Sequence, residues 1–112
     1  MLNQIVLVGR LTRDIVVNKS DKGKVATISL AIPRSFKNSE GTYDTDFIDC
    51  VAFDVIAENT CEYCSKGDIV GVKGRVQSRV IEKDDKKETV MQVICEKVTF
   101  LSSKSKDEEE EG

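Results

Sequence analysis

Along much of this chain apolar residues recur at every second position, the spacing that turns one face of an extended strand toward a core. Residues 3–11 alternate Ile5 and Leu7 against Val6 and Val8 before Gly9-Arg10, which predicts a first strand, apolar on both sides, with a bend at Gly9. One apolar side can cover the domain's own core while the other meets a second subunit. After Val16-Val17 a polar turn over 18–24, with Gly23 at positive φ, leads into a second strand at 25–33. There Ala26, Ile28, Leu30 and Ile32 share one face, and Thr27, Ser29 and Ala31 the other. Residues 34–45 lose the alternation and are expected to be a long hairpin loop that interleaves Arg34, Phe36, Lys37 and Tyr43.

The pattern returns at 46–54, where Ile48, Cys50 and Ala52 suit a packed interior. Their opposite face holds Phe47, Asp49, Val51 and Phe53. A closed core would not tolerate Asp49 unpaired, so that face should meet water, with its two phenylalanines about 20 Å apart. Exposed aromatics on one strand face make a stacking platform; the alternative is that a loop or partner subunit covers them. Asp54 is an expected N-cap for a helix over 55–66 that closes at Gly67. Residues 68–82 predict a fourth strand in which Gly71 and Gly74 mark strong coiling or the close approach of another backbone. A charged hairpin tip at 83–88 then joins a fifth strand at 89–101, with Val93, Cys95 and Met91 facing inward. Five coiled strands with one short helix between the third and fourth form an all-β OB-fold barrel, a fold whose second and third strands and loops bind oligonucleotides or oligosaccharides.

Composition narrows the classes further. The 112 residues suffice for one core, assigned to a domain over 1–102, and Pro is 1. No run of about 18 apolar residues offers a membrane span. The N-terminus enters a strand pattern at once, so a cytoplasmic protein is expected. The net charge of −3 comes mainly from residues 107–111; up to Lys106 the balance is 17 basic against 15 acidic side chains. A run of like charge without apolar residues cannot fold, so 103–112 is expected to be a disordered acidic tail. Cys61-Glu62-Tyr63-Cys64 has the C-x-x-C spacing of a redox or metal half-site. There is no His and no second such pair, and the two cysteines fall late in the helix, where its dipole does not favour a thiolate, so buried structural thiols and no cofactor are expected.

Several segments together resemble the bacterial single-stranded DNA-binding protein family. They are residues 3–11, Asp46-Phe47-Ile48-Asp49-Cys50-Val51, Ala57-Glu58-Asn59, Lys66-Gly67, residues 71–79 and Val98-Thr99-Phe100-Leu101. The resemblance implies a non-catalytic, nucleoid-associated homotetramer that binds and protects single-stranded DNA without sequence preference in replication, recombination and repair. It implies base stacking by Phe36, Phe47 and Phe53, with Arg10, Arg34, Lys37, Lys73 and Arg79 as phosphate-binding cations. A further stacking position of the family reads Ile81, and Asp49 and Asp54 stand where relatives often carry a base. Members usually end in an acidic tip closing on Pro-Phe that docks replication and repair proteins; here the acids end Glu111-Gly112. The alternative is an OB-fold relative that binds proteins and has weakened DNA binding.

Overall fold

The structure, a computed structural model, describes residues 1–21 and 23–103. Its strands are β1 (Ile5–Leu11), β2 (Val17–Ser20), β3 (Gly23–Lys37), β4 (Tyr43–Phe53), β5 (Ile69–Lys83) and β6 (Lys86–Ser102), with helix α1 (Asp54–Tyr63) between β4 and β5. Around the sheet β1 runs antiparallel to β5, β5 to β6, and β4 to β3, while β6 lies parallel to β4. Arg10 opposite Ala31 and Leu11 opposite Leu30 bring β1 back to β3 and close the ring. This is the expected OB-fold, with one short strand added. Val17–Ser20 pairs with Gly23–Ala26 where only a turn was expected, because Gly23 at φ +119 lets the polar segment fold back on itself.

Inside the ring, Ile28 and Leu30 of β3, Cys50 and Ala52 of β4, Val70 and Val72 of β5 and Val93 and Cys95 of β6 are buried. Helix α1 packs on β3, β4 and β6 and contributes Ala57 and Thr60. The alternation thus identified the core side of β3 and β4 and the inward Val93 and Cys95 of β6, while it left β1 apolar on both sides and named no core side for β5. Met91 departs from it: β6 is leaving the barrel there, no second layer covers it, and the side chain is exposed.

Three boundaries differ from expectation. The supposed loop over 34–45 is mostly ladder, with β3 running to Lys37 and β4 starting at Tyr43. Its tip is held by Asn38, whose Oδ1 accepts the N–H groups of Glu40 and Thr42 and whose Nδ2 donates to Asp44. Pro33, which has no N–H to give, stands where the register slips. Asp54 is no N-cap: its φ is +49 and its carboxylate accepts the Lys24 N–H at 3.1 Å, tying the helix to β3. A Cβ at Gly23 would stand 2.6 Å from that oxygen, so the tie needs glycine. The helix ends at Tyr63, because Cys64 is already extended and Gly67, at φ +93, turns its N–H to the Leu11 carbonyl. The acidic tail from 104 onward lies outside the described residues.

Candidate nucleic-acid interface

Because β4 is unbroken from Tyr43 to Phe53, Tyr43, Thr45, Phe47, Asp49, Val51 and Phe53 share its outer face. Phe47 is 75% exposed and Phe53 48%, so both rings meet water. Across the ladder Ala31 stands opposite Phe47 and Val25 opposite Phe53, with Thr27 opposite Val51 and Ser29 opposite Asp49 between them. The alanine leaves the Phe47 ring uncovered, while beside the valine about half of Phe53 meets water.

Ring closure brings a cation to this face. Arg10 pairs with Ala31, and Ala31 with Phe47, so Arg10 and Phe47 lie on one side of three consecutive strands, about 10 Å apart. Arg10 donates from Nη1 to the Gly67 carbonyl at 2.7 Å, which fixes its direction. At the far end of the row Lys37 sits 5.9 Å from the centre of the Tyr43 ring. Beside the other end, the outer part of the β5–β6 hairpin walls an open groove of about 380 Å³, with Thr27 and Val51 in its floor and Arg79, Ile81 and Met91 in its wall. Lys73 lies opposite Val6, on the side of β1 that carries Arg10 and about 13 Å beyond it.

Arg34 and Phe36 are placed differently. Arg34 donates from Nη2 to Asp46 at 2.9 Å and lies 3.7 Å from Asp44, on the side of the hairpin away from Phe47. The hydrogen bond to Asp46 raises the Arg34 pKa, and the same bond lowers that of Asp46. Phe36 is exposed within the bulged segment between Pro33 and Lys37, where pairing sets no face. The structure therefore groups Arg10, Lys37, Phe47, Phe53 and Arg79 around one surface, extends it to Lys73, and sets Arg34 behind it.

Two further residues join this surface: Tyr43, named above among the aromatics and cations of the expected loop, and Arg13, which was not. Tyr43 shares the parity of Phe47 but looked like part of a loop. Arg13 follows β1, and its Nε donates to Ser29 Oγ at 3.0 Å on the same face; nothing in its sequence neighbourhood announces that contact. Asp54 is turned toward Lys24 at the start of β3.

The thiols contribute nothing to this surface. Cys50 and Cys95 are buried in the core, where desolvation pushes their pKa values up to about 12 and about 11. Cys64 is buried and its pKa is raised by the same cause. Cys61, expected inside, is exposed because it lies on the outer side of the last helical turn, although its Sγ still donates to the Ile15 carbonyl at 3.0 Å. Among the described residues no cluster of His, Cys, Asp or Glu is arranged to hold a metal ion, and no helix is long and apolar enough to cross a membrane.

A strand ring closed by β1 and β3, with aromatic rings and cations on one outer face, defines an OB-fold protein. Residues 2–101 match the Single-strand binding protein family, and the chain belongs to that family. It is 45% identical over 107 residues to Single-stranded DNA-binding protein 1 of Staphylococcus aureus (strain COL), covering 94% of this chain and 64% of that protein. It is 40% identical to Single-stranded DNA-binding protein B of Bacillus subtilis (strain 168), over 96% of each chain. Among solved structures it is similar to the Plasmodium falciparum SSB complex with ssDNA. There the TM-score is 0.79 at 27% identity, with 91% of this chain and 96% of that one covered.

Proposed function

We propose that this chain binds single-stranded DNA without sequence preference, as a non-catalytic cytoplasmic protein that protects the strand in replication, recombination and repair. The observation that carries this reading is the row of Tyr43, Phe47 and Phe53, exposed on one strand face with Arg10 two strands away. Stacking needs only a π face, and each stacked base is worth about 1–3 kcal/mol, so affinity comes without base identity. Arg10, Lys37, Lys73 and Arg79 follow the backbone, while Arg34 contributes once its fork with Asp46 opens. Phe36 supplies a further ring from the bulge.

The assembly proposed is a homotetramer. Among the described residues β1 meets β3 only through Arg10 and Leu11, so residues 5–8 have a paired strand on one side alone, and Val6 and Val8 are exposed beside that edge. A second copy of β1 would cover both. The domain is taken as residues 1–102, with 103–112 an acidic tail that competes with DNA for the cations and offers a docking point for replication and repair proteins.

Titration of labelled oligo-dT at rising salt tests the reading. Counterion release requires affinity to fall steeply along a log–log line. A flat response, or equal affinity for duplex, overturns it. A second reading, an OB-fold protein-interaction relative, draws on the carboxylates that face Arg34 and Arg13; it requires that Phe53→Ala leave oligonucleotide affinity unchanged.

A further inference from the structure

Arg13 stands on the outer face of the β3–β4 sheet between two hollows. One is the groove against the β5–β6 hairpin; the other is a smaller hollow of about 230 Å³ lined by Asp14, Val16 and Asn18. Thr27 lines both, Arg13 lines the smaller hollow and Asp49 lines the groove, so a strand passing from one to the other runs past this pair.

The loop that carries Arg13 is fixed on every side. The Thr12 N–H donates to the Ser29 carbonyl at 3.0 Å, and the Lys66 N–H donates to Asp14 at 2.8 Å. Ile15 is buried, and its carbonyl accepts the Cys61 thiol. The guanidinium itself is held by two groups of unequal strength. Its Nε donates to Ser29 Oγ at 3.0 Å, whereas its Nη2 lies 3.8 Å from Asp49 Oδ1, on the residue paired with Ser29. A charge-assisted hydrogen bond spans about 2.7–2.9 Å, so the carboxylate contact is Coulombic and longer than a bond. The two side chains are 65% and 63% exposed, which screens it further. A neutral hydroxyl therefore orients Arg13, and an anion that can be replaced neutralises it.

We propose, resting on the single-stranded DNA reading, that Arg13 is a phosphate-binding residue and Asp49 its internal counter-anion. In the free protein Asp49 neutralises Arg13; when a strand crosses between the two hollows, a phosphodiester takes the place of Asp49. With Nε committed to Ser29, the fork of Nη groups remains for the phosphate oxygens, a geometry that lysine could not reproduce. Asp49 thereby sets affinity, because it withholds a cation from the entering strand.

The test is a double-mutant cycle in the full chain. Affinity for a labelled dT oligomer is measured across a salt series for wild type, Arg13→Ala, Asp49→Asn and the double variant, with a thermal melt of each as a folding control. Asp49→Asn is expected to tighten binding about two- to five-fold, the range of an exposed ion pair. Arg13→Ala is expected to weaken binding and reduce the magnitude of the salt slope by about 0.7, the increment for one phosphate on a single strand. In the Arg13→Ala background the gain from Asp49→Asn should vanish. An equal gain in both backgrounds would make Asp49 a simple repelling charge and overturn the pairing; an unchanged slope in Arg13→Ala would overturn the phosphate contact. Failure of the wild type to bind dT at any salt overturns the single-stranded DNA reading itself, and the proposal with it, a result distinct from both.

Discussion

Gly74 of β5 backs directly onto the carbonyl of Ile94 in β6, at the point where the ladder between the two strands slips by one residue. A Cβ at Gly74 would collide with that carbonyl, and backbone cannot move aside as a flexible side-chain end would. Gly74→Ala should therefore destabilise the fold by about 3 kcal/mol and lower the melting temperature by about 12–24 °C in calorimetry. Gly71, whose Cβ would meet only ordinary contacts at 3.8 Å and beyond, is the control: Gly71→Ala should move the melt far less.

Phe47→Ala and Phe53→Ala should each weaken oligo-dT binding by about 1–3 kcal/mol while leaving the melt nearly unchanged, since both rings are exposed and little packing is lost. Fluorescence anisotropy at one fixed salt measures the first, and circular dichroism the second. Loss of stability without loss of affinity would mean that the rings serve the fold.

Asp46→Asn removes the carboxylate that grips Arg34. The expected result is tighter binding with a steeper salt slope, by about 0.7 for the one cation released, read from the same anisotropy titrations. An unchanged slope would show that Arg34 points away from the strand even when free.

Cys50 and Cys95 yield an alkaline prediction. In the unfolded chain both thiols ionise near their ordinary value of 9.0, while in the core they resist to about 12 and about 11. Between those limits ionisation favours the unfolded chain. Stability is therefore complete below about pH 9 and falls as pH rises, by up to about 1.4 kcal/mol per pH unit for each thiol. Urea unfolding at pH 8 and pH 10.5 measures the difference. At pH 8 an aromatic disulfide reagent should modify Cys61 in the native protein and reach the other three thiols only on unfolding.

In the barrel, β3 and β4 were legible because apolar and polar positions alternate along them. Ile28, Leu30, Cys50 and Ala52 fill the core between exposed Thr27 and Asp49, with only Ser29 buried on the outer side, and that contrast survives in the sequence; β6, where Val93, Ile94 and Cys95 are all buried, shows it less. At 34–45 it does not: beyond the barrel's end most positions on both sides of the β3–β4 hairpin are exposed, so no alternation remains, and the strands are held by the backbone ladder and by Asn38. Val17–Ser20 escaped notice for the same reason. The proximity of Arg10 to Phe47 depends on the register of three strands and on ring closure, and the fork between Arg34 and Asp46 depends on a bulge. Neither leaves a trace in local spacing.

The hairpin of β5 and β6 runs through two environments. Its inner half is flanked by β1, opposite residues 69–74, and by β4, opposite Val93 and Ile94. Beyond Gln77 it continues as two strands with mostly exposed side chains, and a lone pair of strands is only marginally stable. Amide hydrogens of the inner half should exchange with deuterium only when the whole domain opens, while those of the outer half exchange through local fraying. One continuous ladder will thus keep two clocks, with the change of pace falling near Val76.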